Sequence, residues 1–348
     1  MKVSLGALTL FGSACLFAAN ASAAFVCPGL GDGADRAMRG WQVPGMGISV
    51  IQDGKPVYRK TFGVADVDTK SPVTEKTLFG IGSITKSMTA LSFAVLDVKN
   101  ELPLATPVKS VLPYFPQAIT IRQLLSHTAG WPRHDALWYL NAYDRHTLPA
   151  KLSRLPRIAA PGAVFQYNNV PFAAVGKVVA EFTDLSWDHW IRAAILEPAG
   201  MTSAITRLSV FRNSGQRATP YFPAREGRIK LELRDTGPVA PAAGVYANLL
   251  DMTRYTTLLA TDGFIDGRQV VPVTAARKLR EPTSRRYGLG LRIGKWHGEE
   301  LAFHPGFIDG YGARISILPA RDAGVIVLSN MSGETPASRI VSQIALDC

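Results

Sequence analysis

The chain has 348 residues, 47% of them hydrophobic and 19% charged, and a formal net charge of +11. That apolar share belongs to a globular protein and excludes a disordered one, and the length suits one large domain with two lobes. Basic residues are dispersed apart from Arg285-Arg286 and the stretch from Arg225 to Lys230, and no nucleic-acid motif is present; the charge favours anionic surfaces, cell-wall polymers such as peptidoglycan and membrane headgroups among them.

The first residues have the pattern of a leader. Lys2 precedes an apolar stretch from Leu5 to Ala19, and Ala21-Ser22-Ala23 has the A-x-A form of a cleavage site. This predicts a signal peptide over residues 1–23, a mature chain over 24–348, and secretion through the inner membrane to the periplasm or the extracellular space. Cys15 is reminiscent of a lipoprotein signal, but Gly12 stands where such a signal has a branched aliphatic residue. No later apolar run is long enough to span a bilayer. Cys27 and Cys348 lie at the two ends of the mature chain. Export permits a disulfide and chain ends are often close in space, so these two are expected to pair, with two free thiols as the alternative.

Met46 to Gln52 and Val57 to Phe62 read as short strands joined by the hairpin signal Asp53-Gly54-Lys55. A buried helix is expected over Ser83–Val98. From about residue 100 to 233 the chain is rich in proline breaks and helical segments, such as Ile121–Ser126, Val170–Phe182 and Trp187–Leu196. Asn248 caps a helix through Leu259, with Asp251 in its first turn. Strand patterns return at Tyr287–Ile293, Leu301–His304, Ala313–Leu318 and Gly324–Ser329. Thr335-Pro336 opens a terminal helix to Leu346. Strands at both ends and helices between them predict a discontinuous α/β lobe, about 24–99 and 234–348, with an inserted, mainly helical lobe at about 100–233.

Three short motifs carry chemistry. Ser83-Ile84-Thr85-Lys86 places a serine and a lysine three apart on a helix, where their heads meet on one face. A serine hydroxyl is a poor nucleophile until a base takes its proton, and a lysine kept neutral by burial and a neighbouring cation is such a base. Alone, the same spacing equally describes a capping serine and a surface lysine. Tyr167-Asn168-Asn169 follows the loop Pro161 to Phe165. The Tyr167 phenol relays protons if a nearby cation lowers its pKa. The Asn169 amide both donates and accepts, so it suits Lys86 on one side and a substrate amide on the other. Asn168 reads as a turn or cap residue. His304-Pro305-Gly306 ends a predicted strand. Gly306 permits close backbone approach to a ligand, and the Phe307 N–H is a candidate to join that of Ser83 as an oxyanion hole. Pro-Gly is also a common turn.

In this order the three motifs resemble those of the serine β-lactamases, penicillin-binding DD-peptidases and related esterases. The branch most similar carries Y-x-N and often H-x-G: class C β-lactamases, DD-carboxypeptidases, D-aminopeptidases and esterases. The resemblance extends over Leu124-Leu125-Ser126-His127-Thr128-Ala129-Gly130, Pro161-Gly162, Glu197 to Met201, Ala243 to Tyr246, Tyr287 to Gly290, and Gly306 through Gly310-Tyr311. It implies an antiparallel sheet flanked by helices and an acyl-enzyme mechanism. Ser83 would be the nucleophile, Lys86 its base and Tyr167 the proton shuttle, with Asn169 positioning both Lys86 and substrate. His304 stands where many members have lysine, and Pro305 where many have a hydroxyl residue. Both departures weaken the grip on a substrate carboxylate, which Arg292 on the preceding strand is a candidate to supply. Slow turnover of penicillins and cephalosporins is therefore expected. His127 is expected to be structural. No metal-ligand spacing is present, and neither a metal nor another cofactor is implied. The expected partner is a small-molecule or peptide substrate. Hydrolysis of D-amino-acid peptides or β-lactam-type amides is the first reading, carboxylesterase activity on short acyl esters the second, and a non-catalytic wall-peptide or penicillin binder the third.

Overall fold

The computed structural model describes residues 27–140, 143–284, 286–332 and 336–348. The leader expected over 1–23, Arg285 and the Thr335 cap lie outside the described residues.

The sheet starts from a hairpin. Strands β1 (Gly45–Gln52) and β2 (Lys55–Gly63) pair antiparallel, with Gln52 opposite Lys55. Asp53 and Gly54 both take positive φ, 49° and 68°. A two-residue turn needs this sign at both positions to match the strand twist, and Asp-Gly adopts it at low cost. Near the other end of the chain come β3 (Arg292–Trp296), β4 (Glu299–Ile308), β5 (Tyr311–Leu318) and β6 (Ala323–Ser329). The order across the sheet is β2-β1-β6-β5-β4-β3, with every neighbouring pair antiparallel.

The central strands are covered on both faces. Met46, Ile48 and Val50 of β1 and Val325 and Val327 of β6 meet helices α1 (Leu30–Gly40) and α5 (Pro336–Leu346) through Leu30, Ala34, Met38, Ala337 and Val341. Ile315 and Ile317 of β5 and Ile326 and Leu328 of β6 join the opposite core, with α2 (Thr85–Val98), α3 (Val170–Thr183) and α4 (Leu249–Ala260). Successive side chains of a strand alternate faces, so a strand buried on both reads as an unbroken apolar run. Each fully buried branched side chain contributes about 1.5–3 kcal/mol. Leu124, Trp131 and Phe172 from the helical stretch belong to the same core as Ile315, so that stretch is welded to the sheet.

Helix α2 runs through this core, and its polar groups are all paired there. The Ser87 hydroxyl donates to the Ile84 carbonyl and contacts Tyr255 Oη, both at 2.8 Å. Thr89 Oγ1 donates to the Pro241 carbonyl (2.8 Å) and accepts from Trp187 Nε1 (3.1 Å). Buried hydroxyls are costly unless satisfied, so these bonds fix both the rotation and the height of α2. Asn248 caps α4 as expected, its side chain accepting from the Asp251 N–H at 2.8 Å.

Two strand expectations need correction. Tyr287 to Leu291 are not in the sheet, which they join only at Arg292. The Tyr287 N–H returns to the Ser284 carbonyl in a turn, and Gly290, at φ +72°, lies so close to the Lys86 carbonyl that a Cβ there would come within 2.6 Å. The segment packs on α2 instead of extending. The strand expected to stop at His304 continues to Ile308. Proline is tolerated there because β3 pairs with β4 only as far as Phe303, so Pro305 sits on an open edge.

In the structure Cys27 and Cys348 are joined by a disulfide, with Cα atoms 5.3 Å apart across a sequence separation of 321. Among the described residues no helix is long and apolar enough to cross a membrane.

Candidate active site

Ser83 lies in a single 3-10 turn, Gly82–Ile84, that leads into α2. One turn on, the Lys86 side chain is fully buried. Its Nζ lies 3.0 Å from Ser83 Oγ, 2.8 Å from Asn169 Oδ1 and 3.2 Å from the Ala242 carbonyl oxygen. Burial holds the Lys86 ammonium well below its ordinary range; the Asp135 carboxylate opposes this and the Arg133 guanidinium adds to it. A neutral amine has two N–H groups and one lone pair. Asn169 Oδ1 and the Ala242 carbonyl can only accept, so they take the two N–H groups. The lone pair is left facing the Ser83 hydroxyl, the arrangement a general base needs.

Tyr167 stands on the other side of Ser83 and is hydrogen-bonded to it. Its ring centre is 4.9 Å from Lys86 Nζ. The expectation that a cation lowers its pKa is reversed. Burial pushes the hydroxyl up to about 12, against the hydrogen bond to Ser83 and the charges of Arg292 and Arg133. Burial thus favours a neutral lysine beside a protonated tyrosine. Lys86 is the group able to accept a proton and Tyr167 the group able to donate one.

Behind Tyr167 runs a chain of hydrogen bonds with a single direction. The Asn168 N–H donates to His127 Nδ1 (3.2 Å), so the His127 proton sits on Nε2, which faces Tyr287 Oη at 3.1 Å. Tyr287 Oη lies 3.4 Å from His304 Nε2, and His304 Nδ1 donates to the Pro305 carbonyl at 2.6 Å. Burial, with Lys86 and Arg292 nearby, pulls His304 down to about 3. His304 is thus neutral, and both its ring nitrogens are engaged within the protein. The sequence reading gave it to substrate, and the structure places it in the wall of the cavity beside Ser83. His127 is buried with its ring centre 4.3 Å from that of Tyr167, a packing and orienting position. Asn168 makes an Asx turn, its Oδ1 accepting from the Val170 N–H at 3.1 Å while its Nδ2 donates to the Pro132 carbonyl.

Gly306 also departs from its expected role. It does not line the cavity beside Ser83. A Cβ there would fall 2.0 Å from the Ile81 carbonyl oxygen, so its missing side chain serves the contact between β4 and the Ser83 turn. Gly82 meets the same contact from the other side: at φ +50°, a Cβ on it would reach the Phe307 nitrogen at 2.5 Å. Backbone groups on a strand alternate sides. The Pro305 carbonyl accepts from His304 on the open edge, so the Phe307 N–H two residues on points to that edge, toward Gly82 and Ser83. The Phe307 side chain is half exposed at the rim.

A cavity of about 380 Å³ opens beside Ser83, walled by Tyr167, Asn169, His304 and Pro305 and by the aromatic residues Trp138, Tyr139 and Phe307. Arg292 enters it from β3. Its guanidinium carbon lies 5.8 Å from the centre of the Tyr167 ring, and its buried Nε has no hydrogen-bond partner among the described residues. The acidic residues of the cavity are already occupied. Asp309 takes Arg234 Nε (2.9 Å) and Tyr139 Oη (2.6 Å), and Asp135 takes Arg133, Asn169 and Trp138. Sequence reasoning missed Arg133, Asp135, Trp138 and Tyr139. They lie on a loop and a one-turn helix with no apolar period, and only the fold brings them to Ser83. No group of three or more metal-ligating side chains is found among the described residues.

The comparisons agree with this architecture. The protein family described as Beta-lactamase matches residues 34–346. The chain is 29% identical over 319 residues to the unguisins hydrolase ungD' of Aspergillus campestris (strain IBT 28561), covering 83% of this chain and 59% of that protein. It is 25% identical over 318 residues to the protein flp of Staphylococcus aureus (strain NCTC 8325 / PS 47), covering 84% and 60%. The chain thus spans about 60% of the length of these curated relatives. The octameric penicillin-binding protein homologue from Pyrococcus abyssi superposes with a TM-score of 0.81 at 27% identity, over 91% of this chain and 76% of that one. With the family match running nearly end to end and the fold shared, this chain belongs to the beta-lactamase family.

Proposed function

We propose that the chain is an exported serine hydrolase that works through an acyl-enzyme on Ser83, with D-amino-acid peptides or β-lactam-type amides as its substrate class. The observation that carries the reading is the setting of Lys86: burial disfavours its charged form, and its Nζ lies within hydrogen-bond distance of two acceptors and of Ser83 Oγ. Lys86 takes the Ser83 proton as Oγ attacks the carbonyl carbon. The N–H groups of Ser83 and Phe307 receive the oxyanion, where each donor is worth about 3–4 kcal/mol in related chemistry. Tyr167, still protonated, gives its proton to the leaving nitrogen and is restored by the proton that Lys86 took from Ser83. Water repeats the sequence on the acyl-enzyme. An intact set of this kind speaks against a purely non-catalytic binder. The name of the unguisins hydrolase, a relative, is in keeping with hydrolysis. Export is supported by the Cys27–Cys348 disulfide, which belongs to an oxidising compartment, and the positive charge suits peptidoglycan as a partner.

A second reading, carboxylesterase activity on short acyl esters, is favoured by the neutral, internally bonded His304, the missing N–H of Pro305 and the aromatic rim. Arg292 decides between them, because its side chain enters the cavity beside Ser83, where its guanidinium is a candidate to hold an anionic substrate group. The test is a panel of nitrocefin, a D-Ala-D-Ala peptide, a D-amino-acid amide and p-nitrophenyl butyrate on wild type and Arg292→Ala. For the peptide and the β-lactam, kcat/KM is expected to fall by about tenfold or more, the worth of one hydrogen bond to a charged group. The neutral ester is expected to lose far less. Wild type that turns over only the ester would favour the second reading. Equal losses on all four substrates would remove Arg292 from substrate recognition.

A further inference from the structure

The lysine is correctly oriented only while the Asn169 amide is held one way round. If that amide turned over, its NH2 would face Lys86. The lysine would then have to spend its lone pair on Asn169 and turn an N–H toward Ser83, the wrong direction for a base. What prevents this is Asp135. Asn169 Nδ2 donates to Asp135 Oδ1 at 3.1 Å while Asn169 Oδ1 accepts from Lys86 at 2.8 Å. A carboxylate only accepts, so it admits the NH2 end and rejects the oxygen. Asp135 is itself clamped, with Trp138 Nε1 donating to Oδ1 at 2.9 Å and Arg133 Nε donating to Oδ2. Asp135 thus accepts three hydrogen bonds from within the protein.

We propose that Asp135 is a positioning residue for Lys86, acting through Asn169, and that Arg133 both clamps Asp135 and offsets its negative charge; the inference rests on the acyl-enzyme reading above. The charges work in opposite senses on the lysine. Asp135 favours the ammonium and Arg133 opposes it. The remaining titratable groups around Lys86 are fixed. Tyr167 stays protonated, and His127 and His304 are held neutral by burial. Arg292 stands beyond the Tyr167 ring. The Arg133–Asp135 pair is therefore the adjustable part of the lysine's electrostatic surroundings. Protonation of Lys86 consumes the lone pair, so acylation slows as pH falls through the lysine's pKa.

The experiment is the pH dependence of the single-turnover acylation rate, measured on the full chain with an uncharged activated ester. The proteins are wild type, Asp135→Asn, Asp135→Leu and Arg133→Gln, each checked by thermal melting. Asp135→Asn keeps an acceptor for Asn169 but removes the charge, so its acid limb is expected to move to lower pH. Arg133→Gln removes the opposing charge, and its acid limb is expected to move to higher pH. At the foot of the limb each change amounts to roughly threefold in rate, in opposite directions, a modest effect for a charge near a titrating group. Asp135→Leu leaves Asn169 free to turn, and its plateau rate is expected to drop by about tenfold, the cost of an unpaired buried donor. A merely structural role would lower melting temperatures without moving the acid limbs. Limbs that coincide with wild type in Asp135→Asn and Arg133→Gln, or that move together, overturn the proposal. Ser83 would still be labelled in that case, so the acyl-enzyme reading would stand; that reading fails separately, if Ser83→Ala retains labelling.

Discussion

Lys86→Ala and Tyr167→Phe are each expected to lower the acylation rate by about a hundredfold or more, as losses of general acid–base groups do. The double variant is expected to lose little beyond the worse single one. Lys86 and Tyr167 touch the same Ser83 hydroxyl from two sides, and the proton that restores the tyrosine is the one Lys86 took from Ser83. Removing either breaks one relay, and residues acting as a unit lose rate non-additively. The protonation states sharpen the expectation. With the tyrosine pushed up to about 12 and the lysine held low, the rate should rise with pH as Lys86 loses its proton and should show no need for a tyrosinate at neutral pH. Fully multiplicative losses in the double variant would contradict a shared relay.

Reduction of the Cys27–Cys348 bond is expected to be the largest single change in stability. The bond closes a loop of sequence separation 321. In the chain-entropy model so long a loop gives on the order of 5 kcal/mol, an upper figure because residual structure in the unfolded chain subtracts from it. That corresponds to a drop of roughly ten degrees in Tm for a protein of this size. The physical picture is local: Cys27 precedes α1 and Cys348 follows α5, and these two helices pack on each other and on β1 and β6. Melting the protein with and without reductant, alongside Cys27→Ser/Cys348→Ser, measures the effect. Two thiols freely alkylated in native, unreduced protein would refute the pairing.

The parts legible in the sequence are those set by local physics. The β1–β2 hairpin was readable because Asp53-Gly54 has the turn chemistry it needs. The start of α4 was readable because Asn248 is a strong cap, and Ser83 and Lys86 because helix spacing alone brings their heads together. What was missed depends on tertiary context. Helix α1 carries three glycines in eleven residues, and its Gly29 N-cap offers no side chain, so propensity argues against it. Its Leu30, Ala34 and Met38 on the sheet hold it in place. The Tyr287–Ile293 pattern has strand-like residues, but close packing of Gly288 and Gly290 on neighbouring backbone keeps its first half out of the sheet. The chemistry of His304 was half legible. Its neutrality follows from its ordinary pKa, whereas the commitment of both nitrogens required the geometry of Tyr287 and Pro305. Asp135 and Arg133 carried no sequence signal, since their importance lies in Asp135 facing Asn169, 34 positions away, with Arg133 bonded to Asp135.

The central claim is that Ser83 becomes covalently acylated, and the most direct test is mass spectrometry of the intact protein after exposure to a fluorophosphonate or penicillin probe. The account predicts one adduct per chain, mapped by peptide sequencing to Ser83, and none on Ser83→Ala protein that melts like wild type. An adduct that persists on Ser83→Ala, or that maps to another residue in the wild type, would contradict it.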